Sequence, residues 1–322
     1  MHARFFSHAE DCIRVITKAL CRMMDGMQTP PLGPATYMAN PSQPSWQLPP
    51  HACDAHVHVF GPIARFPYAN TPGNKPAEAP KENLFALHRQ LGISRCVIVQ
   101  SMVHGFNNAV VQDAIAAGNG RYLGVALVPV SVTATELGRL AAAGFRAVRF
   151  NFMKHLGMGA TPDELVALTH RLADHQMHLQ VHFESGLIHE LSDCFKQSAV
   201  PVVIDHMGRV NAEWGSAHED FQALCRLLDQ PHLHVKVSGI DRIQARVPLS
   251  VPPYTQGIAL ARHLVEHFPT QCVWGTDWPH PNHTHVPDDG VLVDALRQIA
   301  PTPELMQRVL VDNPQALYRF EN

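Results

Sequence analysis

From residue 51 onward the chain repeats one alternation: a short apolar, β-branched run, then a stretch with helical periodicity. The strand-like runs are Ala52–His58, Arg95–Ser101, Tyr122–Pro129, Ala147–Asn151, His178–Phe183, Val200–His206, His234–Ser238 and Cys272–Asp277. Helical patterns fall between them at Leu84–Leu91, Asn108–Ala117, Thr133–Ala143, Pro162–His175, Glu219–Asp229 and Tyr254–His267. Gly92, Gly144 and Gly157 stand where a helix ends or a loop tightens. Strands alternating with helices imply a parallel sheet covered on both faces. Eight such units predict an α/β protein with a single closed (β/α)8 TIM barrel over residues 51–322. Two short helices, near Pro303–Val311 and Pro314–Phe320, are expected to close it.

Several function classes lose support at once. No GxGxxG follows the first strand and no GxxxxGK[ST] occurs, so nothing cradles a nucleotide phosphate. A formal net charge of −3 supplies no polycation for nucleic acid or an acidic membrane. No run of eighteen apolar residues is present to span a bilayer. The seven cysteines are odd in number, scattered and never spaced as CxxC, which reads as reduced thiols of a cytoplasmic protein. Residues 1–50 stand apart, with one amphipathic stretch (Ala9 to Met24) and a segment rich in proline, serine and threonine (Gln28 to Pro50). They lack the apolar core of a signal peptide. They read as a disordered or loosely attached leader, or as an over-called start with Met24, Met27 or Met38 as the first residue.

Active sites of parallel barrels assemble at the carboxyl ends of the strands. Here those ends carry an orderly set of polar residues. His56 and His58, one residue apart on strand 1, face the same side and can grip one metal or one oxygen. Histidines close strands 5 and 6 (His182 and His206), and Asp277 closes strand 8. Arg149 stands in the end of strand 4, Arg209 at the end of strand 6, and Arg242 follows strand 7. The chain holds 22 histidines, and only six of its 25 basic residues are lysine. Imidazoles suit metal or acid–base work near neutral pH, and arginine forks suit carboxylates. Among the neighbours, Asp54 reads as orienting the end of strand 1, and Trp278 and Phe60 as pocket walls. Strand parity puts Asp205 on the outer face beside an inward His206. His283 and His285 read as a solvated loop, and His170, His175 and His178 as surface.

The motifs CDAHVHVFGP (Cys53–Pro62), VIVQS (Val97–Ser101), RAVRFNF (Arg146–Phe152), VIDHMGR (Val203–Arg209), WGTDWPHPN (Trp274–Asn282), PDDG (Pro287–Gly290) and IAPTPEL (Ile299–Leu305) resemble those of the amidohydrolase superfamily. Within it the chain is most similar to the 2-pyrone-4,6-dicarboxylate lactonase group, over about residues 51 to 320. The resemblance implies hydrolysis of a small anionic lactone from lignin-type aromatic breakdown. Asp277 would be the base that activates water, and His56, His58 and His206 would polarise the lactone carbonyl. Arg149, Arg209 and Arg242, with Ser101, His104 and His155, are the implied substrate-binding residues. The chain departs from the group's pattern at His182, where a tyrosine is expected, and at His155, which takes the place of an arginine. Met102 and Asn74 replace a serine and a tyrosine.

With His182 present, His56, His58, His182 and Asp277 match the superfamily's mononuclear metal set, which implies one Zn2+ beside a metal-free alternative. A zinc-dependent muconolactone or sulfomuconolactone hydrolase is therefore the second reading. A superfamily decarboxylase and a non-catalytic binder of aromatic acids come after it. The expected partner is the lactone itself, with neither nucleic acid nor membrane, and a homo-oligomer is left open.

Overall fold

A computed structural model describes residues 32–69, 75–152, 160–243, 252–283 and 285–321. Its sheet has eight parallel strands in sequential order: β1 (Cys53–Val57), β2 (Arg95–Val99), β3 (Tyr122–Leu127), β4 (Phe145–Phe152), β5 (His178–Phe183), β6 (Val202–Ile204), β7 (Leu233–Lys236) and β8 (Cys272–Val273). The helices between them are α1 (Lys81–Leu91), α2 (Ala109–Ala117), α3 (Ala134–Ala142), α4 (Pro162–Ala173), α5 (Ile188–Lys196), α6 (Glu219–Leu228) and α7 (Thr255–His267). After β8 come α8 (Asp289–Ile299), α9 (Pro303–Gln307) and α10 (Asn313–Tyr318). The TIM-barrel expectation holds. Every strand named from the sequence is present, while α5 and α8 had no named counterpart there.

The strands read as near-continuous apolar runs because helices cover one face and the barrel's own interior the other. Cys53, Ala55, Val97, Val99, Leu123, Val125, Ala147, Val203 and Val273 form the inner cluster, and Leu317, Tyr318 and Phe320 plug its base. Outward residues such as Ile98, Val148, Val181 and Val235 pack with Leu84, Leu137, Leu168 and Leu224 of the helices. Local signals set the helix ends. Thr161 accepts the Glu164 N–H while the Glu164 carboxylate accepts from Thr161, and Pro162 occupies the first turn of α4. Gly92 and Gly144 take left-handed φ at helix ends; Gly157 lies outside the described residues.

Closure happens at the β8–β1 seam, where two short strands meet through backbone bonds. Ala55 N–H donates to Trp274 O (2.8 Å), Asp277 N–H to His56 O (2.9 Å) and His58 N–H to Trp278 O (2.7 Å). The buried Asp54 carboxylate fastens the same seam. It accepts the His56 N–H (3.1 Å), the Thr276 N–H (3.0 Å) and the Thr276 hydroxyl (2.6 Å). Gly275 is required here, because a Cβ would stand 2.5 Å from the His56 nitrogen.

The part of the leader within the described residues, 32–50, is packed rather than loose. Ser42 N–H and Oγ donate to Asp288 at the start of α8, and Ser45 to Asp294 within it. Tyr37 stacks edge-on against Trp278, ring centroids 5.0 Å apart, and Thr36 Oγ1 donates to Pro279 O. These contacts fasten this segment to the barrel. Its proline- and serine-rich composition supplies caps and apolar contacts, which a propensity reading takes for disorder. Residues 1–31 are outside the described set.

Candidate active site

The two strand 1 histidines reach the interior through an irregularity. Cys53 and Ala55 fill the inner cluster, so strict alternation would send His56 and His58 outward. The β1–β2 register shifts between Asp54 and Val57, and beyond that bulge both imidazoles point into the mouth. Asp277 enters from the other side of the seam in a left-handed conformation (φ 68°). His206 (φ 48°) and Arg209 (φ 56°) share that conformation, one that non-glycine residues rarely hold outside functional sites.

Three imidazole nitrogens converge on one oxygen. Asp277 Oδ1 lies 3.6 Å from His56 Nε2, 3.5 Å from His58 Nε2 and 3.6 Å from His206 Nε2, all four side chains being buried. Arg242 Nη1 donates to the other oxygen, Oδ2. Burial opposes ionisation of Asp277, but the facing His206 ring and the Arg242 guanidinium outweigh it, holding the carboxyl well below its usual range. Burial pushes the imidazoles of His182 and His206 far down and that of His56 to about 4. Asp277 is thus ionised, and burial disfavours the charged forms of His56, His182 and His206.

A polar layer lies directly beneath. Lys236 Nζ, fully buried, donates to Ala55 O (2.9 Å) and Gln180 Oε1 (2.8 Å) and stands 3.2 Å from His56 Nδ1. Burial brings this lysine down to about 8, against the pull of Asp205. Asp205 accepts from Arg149 Nε (2.8 Å) and Gln180 Nε2 (3.1 Å) and lies 3.3 Å from His56 Nδ1. This corrects the expectation of an outward Asp205. β6 ends at Ile204, and Asp205 continues the inner face of Val203. His206 swings inward only because the chain turns left-handed there. Lys236 and Gln180 were visible as strand residues, but an inward polar pair inside an apolar run carries no distinct sequence signal.

The remaining expected residues are spread around this centre. His182 closes β5, its ring centroid 5.6 Å from that of His206, and its Nδ1 faces Asn151 Oδ1 at 3.2 Å. It stands beside the tight donor group of His56, His58 and Asp277 rather than within it. Arg149 commits its Nε to Asp205, and Arg242 is engaged with the proposed base itself. Arg209 is brought down to about 10 by burial and then by Arg242. His104 is buried, its Nδ1 3.2 Å from Pro67 O and its ring edge-on to Tyr68. Ser101 accepts the Val103 N–H as the cap of a helical turn. Phe60 stacks with His58 and so walls the site, and Trp278 is fully buried against Tyr37. His155 and Asn74 lie outside the described residues.

Two other histidine expectations are overturned. His178 is the first residue of β5, buried against Tyr318 rather than on the surface. His283 and His285 are not solvated, because Asp241 from the loop after β7 meets both.

The donor set fits a metal ion. His58 Nδ1 donates to Val99 O at 2.7 Å, which leaves Nε2 presenting a lone pair toward Asp277 Oδ1. Two lone pairs facing each other under burial call for a proton or a cation between them. His56 Nε2, His182 Nε2 and Asp277 Oδ1 are all buried without a hydrogen-bond partner. A carbonyl behind one ring nitrogen and a bare nitrogen in front is the usual arrangement of a metal-ligating histidine.

A family model described as amidohydrolase matches residues 53–320. The chain belongs to the amidohydrolase family. Within that family it is 42% identical over 288 residues to a 2-pyrone-4,6-dicarboxylate hydrolase of Comamonas testosteroni, covering 88% of this chain and 94% of the relative. It is 36% identical over 291 residues to a 4-sulfomuconolactone hydrolase of Hydrogenophaga intermedia, covering 89% and 94%. Among solved structures, a probable 2-pyrone-4,6-dicarboxylic acid hydrolase of Acinetobacter baumannii with citric acid bound superposes with a TM-score of 0.73. That structure is 25% identical, and the match covers 84% of this amidohydrolase and all of that chain. Amidohydrolases often carry a metal, and this one has a candidate site for it.

Proposed function

We propose that this amidohydrolase opens a small anionic lactone by hydrolysis, 2-pyrone-4,6-dicarboxylate being the first substrate to try. The carrying observation is the convergence of His56, His58 and His206 on Asp277 at the barrel mouth, with Arg209 and Arg242 beside them. The two lactone-hydrolase relatives, matched over nearly their full lengths, support the same reading.

In this reaction a water oxygen bonds to the ring carbonyl carbon, the ring C–O bond breaks, and the freed ring oxygen takes back the proton that the base removed from water, giving the ring-opened acid. Asp277 takes the proton from water, a role for which it must be ionised and close to the attack path. Arg242 keeps that carboxylate charged and aimed. His206, whose Nδ1 can accept from the Ser238 hydroxyl and leave Nε2–H facing the site, stabilises negative charge on the former carbonyl oxygen, and burial strengthens that interaction. Asp205 and Lys236 hold the His56 ring from behind. Arg209 offers a half-buried guanidinium to a substrate carboxylate, which an arginine fork grips in a bidentate way. His56, His58 and Asp277 would hold one Zn2+, with His182 and His206 adjacent. Such an ion lowers the pKa of a bound water and polarises a carbonyl.

His182 favours a second substrate, a muconolactone or sulfomuconolactone, because a half-buried imidazole replaces the tyrosine of the pyrone group's pattern at the end of β5. A cytoplasmic setting is supported by the unpaired Cys53, Cys96, Cys194, Cys225 and Cys272. No helix among the described residues is long and apolar enough to cross a membrane. The test is a substrate panel. Loss of the pyrone's ultraviolet absorbance on enzyme addition is the expected result. Turnover of sulfomuconolactone alone would transfer the assignment to the second substrate, and a folded chain inert toward every lactone would reject the proposal.

A further inference from the structure

A second group of donors closes over the same end of the barrel, independent of the lactonase reading. The loop after β7 supplies Asp241, and the loop after β8 supplies His283 and His285. Asp241 Oδ2 lies 3.1 Å from His283 Nε2 and 2.9 Å from His285 Nε2. One donor atom from each of the three lies within 4.8 Å of the other two. The side chains of Asp241 and His283 are each 1% exposed and that of His285 is 18% exposed.

We propose that Asp241, His283 and His285 bind a divalent transition-metal ion of the zinc or cobalt class, tying the β7 and β8 loops together. Ligand distances of about 2.0–2.1 Å around a tetrahedral ion place neighbouring donors roughly 3.3 Å apart, close to the separations found here. Two imidazoles and one carboxylate, with a fourth position left to water, are a donor set that suits zinc or cobalt.

The unsatisfied atoms point the same way. Asp241 Oδ1, both ring nitrogens of His283 and Nδ1 of His285 are buried without a hydrogen-bond partner. His283 Nε2 approaches Asp241 Oδ2 to 3.1 Å yet is not aligned to donate to it, whereas His285 Nε2 is hydrogen-bonded to the same oxygen at 2.9 Å. An approach without hydrogen-bond alignment is what two ligands of one ion show. The surroundings tolerate added positive charge. Arg242, next in sequence, has Nη1 committed to Asp277, and Asp288 and Asp289 lie close enough to Tyr254 to act on it together with Asp241. His280, held by Asp289 at 3.0 Å, backs the cluster, its ring centroid 5.3 Å from that of His283. The bound ion would steady the loop that carries Arg242, and through it the partner of Asp277.

The experiment counts metal. The full-length chain carrying His56→Asn and His58→Asn, which disarms the barrel-centre donors, is incubated with Co2+ or Zn2+, desalted and analysed by mass spectrometry. About one equivalent should remain, with visible Co2+ absorption bands, and should disappear when His283→Asn and His285→Asn are added. Retention of no metal by the first variant, with its circular dichroism intact, overturns the proposal. Retention by the fourfold variant overturns it too, since the ion would then sit elsewhere. If the combined variants do not fold, the unmodified chain and His283→Asn/His285→Asn alone are compared. A loss of one equivalent supports the site, and equal counts refute it.

Discussion

Replacing Asp54 by alanine removes three hydrogen bonds from a fully buried position where β1 meets β8. The methyl group leaves the N–H groups of His56 and Thr276 without their acceptor. A buried group stranded in this way costs about 1–3 kcal/mol, so the two together cost about 2–6 kcal/mol. The Thr276 hydroxyl loses a charge-assisted bond of 2.6 Å, though its donation to that carboxylate is partly replaceable by rotation. Removing a buried carboxylate returns some desolvation free energy, since its nearest ring nitrogen, His88 Nε2, is 3.6 Å away. The net expectation is a loss of about 3–5 kcal/mol. At about 2–4 °C per kcal/mol for a chain of this order, the melting temperature falls by roughly 10 °C. Asp54→Asn, which keeps an acceptor for both N–H groups, should lose less than half as much. Thermal melts followed by circular dichroism decide. An alanine variant melting within about 2 °C of the parent would refute the idea that this carboxylate fastens the barrel.

Two further outcomes follow from the same structure. Burial and then His232 bring the His234 imidazole down to about 4, whereas the unfolded chain takes up its proton near 6.5. Between those values the unfolded state binds more protons, so stability is complete above about pH 6.5 and falls as pH drops toward 4, by about 2 kcal/mol at pH 5. Urea titrations at pH 7.5 and 5 should show this loss, and His234→Gln should shrink it; an unchanged pH dependence would contradict the assignment. Arg209→Met should raise KM for a dicarboxylate lactone by roughly 10- to 100-fold, the value of one charge-assisted contact, and leave an uncharged lactone unaffected. Equal losses on both substrates would show that Arg209 does not read charge.

The barrel was legible because parallel strands buried on both faces are uninterrupted apolar runs, and eight of them punctuate this chain. His56, His58, His206 and Asp277 were legible for a related reason: they stand at the ends of those runs, where a barrel collects its chemistry. Alternation failed where the backbone departs from a regular strand. The bulge in β1 and the left-handed turn at His206 both re-aim side chains, so the parity reading placed Asp205 on the wrong face. Lys236 and Gln180 were read as strand residues because their partners come from other strands. The burial of His283 and His285 depends on Asp241, more than forty residues away on another loop, and nothing local announces it. Residues 32–50 bind through Ser42, Ser45 and Trp46 to α8, contacts that composition cannot reveal.

Steady-state turnover by Asp277→Asn tests the central claim most directly. The variant keeps the size of the side chain and an oxygen to face the three imidazoles, but it cannot accept a proton from water. With folding confirmed by circular dichroism, kcat on the best lactone of the panel should fall by about 10²- to 10⁴-fold while KM changes little. A folded Asp277→Asn enzyme that keeps kcat within a few-fold of the parent would mean that some other group activates the water.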